Sequence, residues 1–444
     1  MFWSGQAAMR RKLKGGHRWL VAGLVLTSIE TLRADNWPQW LGPRRDGVWR
    51  ERGIVERFPA EGLKVLWRVK VGGGYAGPAV AEGRVYVMDR QVPRGAGEAG
   101  LERVLCLSAA DGKLVWKHEY ECPYTVSYPA GPRATPLVAA GRVFTLGTEG
   151  NLCCLEADTG RLVWSRDFKK DYGVKAPVWG YAAHPLLAGK NLICLVGGDP
   201  TVAAFDAQSG REVWRAFKTK EPGYSPPVLV EASGKRQVVI WHPEAVNGLN
   251  PETGQVYWLV PFKVRDGLCV ATARQAGDQL FMTAFYDGSL MLRLRSSEPE
   301  VLWRSKKDSE RDTDYLHAIM CTPFVEGGYI YGVCSYGQLR CLRADTGERL
   351  WETLAATTDG KETRWANAFI VKHQDRFFLC NEKGDLIIAK LTPLGYEEVS
   401  RAHLLAPVNR DPGRAVVWSH PAFANRCVYA RNDQEIICAS LAGE

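Results

Sequence analysis

Eight segments of this chain place one residue directly before a proline, or an alanine in its stead, at the start of an apolar run. Those residues are Gly77, Thr135, His184, Pro226, Thr272, Thr322, Asn367 and His420. Two residues earlier stand Tyr75, Arg133, Ala182, Tyr224, Val270, Met320, Trp365 and Trp418. Tyr75, Tyr224, Trp365 and Trp418 could stack a flat anionic ring beside Arg133, or grip a peptide, if the fold gathers them round one axis. At Ala182 the set has a gap, and the nearest aromatic is Tyr181. Strand alternation turns Tyr181 away unless the strand bulges there. The expected ligand set is Tyr75, Arg133, Tyr181, His184, Tyr224, Thr322, Trp365, Asn367, Trp418 and His420. The same side chains could instead merely fill a narrow tunnel.

Other chemistries find less support. His184 and His420 share a position and His317 lies near a third, so a three-histidine metal site is conceivable. The three come from well-separated segments with no local ligand spacing, and no metal is expected. The twelve cysteines lack the paired CxxC pattern of a zinc site. Cys106, Cys154, Cys341 and Cys438 occupy one repeated position, which reads as a small buried side chain at a packed strand. The chain has no Gly-x-Ser-x-Gly elbow, no His-Glu-x-x-His and no Gly-Lys-Ser/Thr phosphate loop. No catalytic residue is assigned.

The elements that must position these residues are repeats. Asp158-Thr159-Gly160-Arg161-Leu162-Val163-Trp164 reads as a tight turn followed by a strand, with glycine supplying positive φ at the turn. Copies of this phrase end at Trp116, Trp214, Trp258 and Trp351, and weaker ones at Trp67 and Trp303. Successive gaps of 49, 48, 50, 44, 45 and 48 residues fall in the range of propeller blades. An eighth copy, Glu397-Glu398-Val399-Ser400-Arg401, puts Ser400 in the tryptophan's place. Each unit carries four short strands and no amphipathic helical run. The segment before Trp67 supplies one strand and the segment after Ser400 supplies three. The fold is therefore expected to be all-β: an eight-bladed β-propeller of four-stranded antiparallel blades, closed by pairing an N-terminal strand with the C-terminal strands. The repeat tryptophans Trp67, Trp116, Trp164, Trp214, Trp258, Trp303 and Trp351 are expected to pack between blades.

Three segments follow: a leader at 1–34, an irregular strap at 35–62 and the propeller at 63–444. Arg10, Arg11, Lys12 and Lys14 precede the apolar run Trp19–Leu26, and Leu32-Arg33-Ala34 is a plausible cleavage site. Met9 is an alternative start, and an uncleaved anchor is an alternative reading of the leader. A periplasmic or secreted protein is expected, at most peripheral to a membrane. The strap holds Trp37, Trp40 and several prolines and glycines, and is expected to pack on the outer wall or one face. A stacking role for either tryptophan stays open. The formal charge of +8 includes six basic and one acidic residues of the leader, leaving 51 basic against 48 acidic beyond it. That near-neutral balance carries no electrostatic footprint for nucleic acid.

The copies resemble the tryptophan-docking repeats of the pyrroloquinoline-quinone-binding-like propeller family. This family includes quinoprotein alcohol dehydrogenases and the propeller lipoprotein of the outer-membrane β-barrel assembly machinery. The opening Trp37-Pro38-Gln39-Trp40 and the ending Trp418-Ser419-His420-Pro421-Ala422-Phe423 look like an exported bacterial branch. Cys153-Cys154 invites comparison with the adjacent-cysteine disulfide of the dehydrogenase branch, but alternation within a strand sends the two side chains to opposite sides. That branch also needs a carboxylate cluster for calcium, and the assigned ring contains no carboxylate. The repeat scaffold, its aromatic rim and the missing catalytic constellation point to a non-catalytic, monomeric binding or scaffold propeller for a peptide, protein or small ligand, with no cofactor. The alternatives are a dehydrogenase of alcohols or sugars using pyrroloquinoline quinone with calcium, and a structural component of an envelope assembly.

Overall fold

The computed structural model describes residues 36–93, 99–295 and 297–443. The expected leader lies outside the described residues. Eight four-stranded antiparallel sheets form the ring. The first blade runs Ala79–Ala81, Arg84–Gln91, Leu101–Ser108 and Leu114–Glu121, from the inner strand outward. The eighth takes its three inner strands from the C-terminal end, Ala422–Ala424, Cys427–Arg431 and Glu435–Ser440, and its outer strand, Val65–Lys70, from the start of the propeller. Trp67 stands opposite Cys438 in that closing pair. Closure removes the two open sheet faces that a linear array would expose.

The core lies between blades rather than inside any one of them. Val143, Cys153 and Leu155 of the second blade pack against Tyr86, Val104 and Trp116 of the first, and similar clusters recur round the ring. Each repeat tryptophan staples this seam. Its indole N–H donates to a carbonyl in the next blade's turn: Trp67 to Ala109 and Trp116 to Ala157 at 2.9 Å, Trp164 to Ala207 at 3.0 Å, Trp214 to Pro251 at 3.1 Å. The turn glycine has two reasons to be there. Gly210 sits at φ 71°, and a β-carbon on it would come within 2.6 Å of the Trp164 indole. Trp258 departs from the pattern. Its N–H bonds Gln237 of its own blade at 2.7 Å, although its ring still packs among residues of the next blade such as Leu292.

The cysteines of the repeated position are buried beside these tryptophans, with Cys106 opposite Trp116 and Cys154 opposite Trp164. Cys153 and Cys154 part as alternation requires. Cys153 packs toward the first blade and Cys154 toward the third, and both are free thiols.

The strap crosses one face of the ring and threads it. The strap bonds seven of the eight blades in turn. Trp37 exchanges two hydrogen bonds with Val80 of the first blade, at 2.8 and 2.9 Å, and Val138 of the second donates to Pro38 at 2.8 Å. Arg45 donates to the carbonyls of Pro185 and Pro227, and Arg274 of the fifth blade donates to Asp46 at 2.6 Å. Trp49 then bonds Lys372 of the seventh blade and Val55 bonds Leu441. Further on, the Phe58 N–H donates to the Ser400 hydroxyl at 3.0 Å, and its ring is buried beside Phe378. Phe58 thus occupies the seam where Ser400 replaces a tryptophan.

Candidate functional site

The segments leading into the inner strands converge on the axis and form a cup of about 300 Å³. Of the expected residues, Tyr75, Arg133, His184, Tyr224, Trp365, Trp418 and His420 line it. Three others do not. Thr322 points its hydroxyl along the ring and accepts the Thr272 N–H at 3.2 Å. Asn367 is 2 % exposed and is not among the lining residues. Tyr181 faces outward between blades, its ring packed on Phe168 and its hydroxyl bonded to the Val196 carbonyl. No bulge reverses it. The gap at Ala182 is filled by Trp179, which stacks edge-on against Tyr224 with ring centroids 5.7 Å apart. Gly180, at φ 70°, makes the bend that brings this indole inward.

The floor comes from the strap. Trp40 inserts along the axis, donates to Thr272 Oγ1 at 2.9 Å and lies flat on His184 with centroids 4.0 Å apart. His420 meets the same indole edge-on at 4.8 Å. The channel is therefore blind. Both imidazoles are neutral near pH 7. Burial, and then the charge of Arg45, pushes His184 well below its ordinary value, and burial brings His420 down to about 4. His184 Nδ1 accepts the Thr135 N–H at 2.8 Å, so the proton of this neutral ring sits on Nε2. His317 is elsewhere, held by Asp314 at 3.0 Å and fully buried.

Three polar groups of the wall are already engaged. Arg133 spends Nε on Trp179 O, Nη1 on Gly131 O and Thr148 Oγ1, and Nη2 on Ser127 O and Tyr128 O. A guanidinium has five N–H groups. None remains for an anion, so the expected anion-stacking role of Arg133 is corrected: it ties down the loop that carries Tyr128. The Tyr75 hydroxyl donates to Asp411, which together with burial raises its pKa. The Trp418 N–H donates to Glu382 at 3.0 Å, and Arg414 grips that carboxylate at 2.8 and 2.9 Å.

Sequence reasoning missed Tyr128, Trp179, Asp266, Phe285 and Tyr286 and left a stacking role for Trp40 open; all six line the cup. Three lining residues hold backbone conformations that side chains disfavour: Tyr128 at φ 58°, Asp266 at φ 53° and Trp365 at φ 64°. Such strain concentrates where a site must aim particular side chains. Asp266 is the one carboxylate among the lining residues. Among the described residues, no group of three or more His, Cys, Asp or Glu is placed to hold a metal ion. Calcium takes six to eight oxygen ligands. The residues of this cup do not fit a calcium–quinone pair.

Among the described residues no helix is long and apolar enough to cross a membrane. No curated protein sequence matches this chain significantly. BamB from Moraxella catarrhalis superposes with a TM-score of 0.56 at 15 % identity, over 85 % of this chain and 97 % of that one. The quinohemoprotein alcohol dehydrogenase from Comamonas testosteroni gives 0.62 at 11 % identity, over 92 % and 81 %. A europium-containing methanol dehydrogenase gives 0.60 at 12 %, over 91 % and 90 %. Likeness at these identities speaks for the fold alone. The family model described as outer membrane protein assembly factor BamB matches residues 51–123 and 100–353. With more than half of its length matched, the chain belongs to that family of pyrroloquinoline-quinone-like repeat propellers.

Proposed function

We propose that this chain is an exported, non-catalytic propeller that captures a small ligand, or the side chain of a peptide, in the aromatic cup. One observation carries the reading: the cup is walled by aromatic faces and closed below by Trp40, while Arg133, Tyr75 and Trp418 are committed to internal bonds. Aromatic faces bind by area and stacking. A nucleophile with its base would need two groups in reach of one another, and Asp266 is the one carboxylate that lines the cup. The family description, outer membrane protein assembly factor, supports placement in the periplasm, where the expected leader would deliver the chain.

A second reading, a quinone-dependent dehydrogenase, draws on the superposition with the Comamonas enzyme. The cup's donor set speaks against it. Tryptophan fluorescence of the mature protein separates the two. Saturable quenching by the neutral aromatic 2-naphthol, lost in a Trp365→Ala, Trp418→Ala double variant, supports the capture cup. Quenching by pyrroloquinoline quinone that requires calcium would favour the enzyme. Quenching by 2-naphthol that survives the double variant would move the site away from the cup.

A further inference from the structure

We infer that the cup selects an organic cation, a quaternary ammonium group in particular; the inference rests on the cup being the binding site. The ligand's charge is argued from what the wall offers. Three aromatic pairs surround the opening: Tyr128 with Trp418 at 6.3 Å, Trp179 with Tyr224 at 5.7 Å, and Phe285 with Tyr286 at 4.9 Å. Ring faces carry negative potential and attract a cation that holds little water. Arg133, the one lining residue with a permanent positive charge, spends its N–H groups on the protein, so an anion finds no charged donor in the wall.

Guanidinium groups already stand over three rings of the wall, Arg265 over Tyr286 at 4.7 Å, Arg364 over Trp365 at 4.5 Å and Arg414 over Trp418 at 5.9 Å, so these rings take cations. Arg265 is itself paired with Asp308 at 3.5 Å. Arg364 is paired with Glu310 at 2.5 Å and Arg414 with Glu382 at 2.8 Å. The Arg133 guanidinium lies over the Tyr75 ring, 5.2 Å from its centroid, and shares Thr148 with the buried carboxylate of Glu102. Asp266 lines the cup with no hydrogen bond or ion pair to another described residue. Asp411, bonded by the Tyr75 hydroxyl, adds a second negative charge behind the rim. A strained backbone thus holds an unpaired carboxylate beside an aromatic cage.

The test uses phenyltrimethylammonium and its neutral carbon isostere, tert-butylbenzene, titrated into the mature protein with tryptophan fluorescence as readout. The ammonium compound is expected to bind about tenfold tighter than the isostere, the size of a desolvated cation–π contact. Asp266→Asn keeps a residue that tolerates left-handed backbone and is expected to lose about fivefold for the cation and nothing for the isostere. Equal affinities for the two probes would overturn the inference while leaving the cup as a neutral aromatic site. An unchanged cation affinity in Asp266→Asn would overturn the role of the carboxylate. If neither probe quenches, the inference fails, and the 2-naphthol titration decides separately whether the cup binds at all.

Discussion

The Trp40 indole lies on the His184 imidazole with 4.0 Å between centroids and 13° between planes, although 144 positions separate them in the chain. This contact turns a through-channel into a cup, because Trp40 arrives from the strap and His184 from the third blade. Removing the indole should open the floor and leave a void among His184, His420 and Thr272. Trp40→Ala is expected to cost about 3 kcal/mol, the usual range for a large buried aromatic. It should also weaken 2-naphthol binding severalfold. Chemical denaturation and the fluorescence titration read the two effects separately.

His420 makes the floor sensitive to acid. Burial lowers its folded pKa to about 4, from the ordinary imidazole value of 6.5. A histidine held neutral contributes stability that is complete above the unfolded value. That stability is lost as pH falls from about 6.5 toward 4, where the unfolded chain takes up the proton first. The contribution at stake is at most about 3 kcal/mol. His420→Gln should flatten that part of the stability–pH curve, measured by denaturation at pH 7 and pH 4.5. An unchanged slope would mean that His184, lowered by the same burial, carries the effect.

Turn glycines of equal backbone angle should differ sharply in tolerance. Gly210 and Gly141 both sit at φ 71°, but a β-carbon at Gly141 meets nothing within 4 Å. At Gly210 it would press on Trp164 at 2.6 Å. Gly141→Ala should therefore cost only the left-handed penalty, about 1 kcal/mol. Gly210→Ala should cost about 3 kcal/mol as the tryptophan is displaced from its seam. Thermal melts of the two variants compare them directly.

Much of the architecture was legible because it is periodic. A turn glycine and a tryptophan at a fixed interval report the blade, and the residue before each proline reports the ring. That register placed Tyr75, Tyr224, Trp365 and Trp418 correctly around the cup. What escaped is what has no period. Trp179 and Tyr128 stand in loops between blades, Asp266 at the left-handed centre of the turn Arg265–Gly267, and Trp40 in a strap whose path depends on seven blades at once. Arg133 was placed correctly and read wrongly. Its residue type suggests an anion site, but only the carbonyls of Ser127, Tyr128, Gly131 and Trp179 reveal that its donors are used.

The exception in the repeat gives the last prediction. Ser400 stands where other blades carry tryptophan, and restoring the repeat would ordinarily be expected to stabilise a protein. Here the seam is already occupied. The Phe58 N–H bonds the Ser400 hydroxyl at 3.0 Å, and Phe58 is 6 % exposed within the core shared by the seventh and eighth blades and the strap. An indole at position 400 would compete with Phe58 for one space and remove the hydroxyl that holds the strap. Ser400→Trp is therefore expected to destabilise by about 1 to 3 kcal/mol, as overpacking does. Pairing it with Phe58→Ala should recover part of that loss, since the indole then has the room that other blades give it. A double-mutant cycle by denaturation measures the coupling. Additive losses would mean that Phe58 and position 400 do not share the seam.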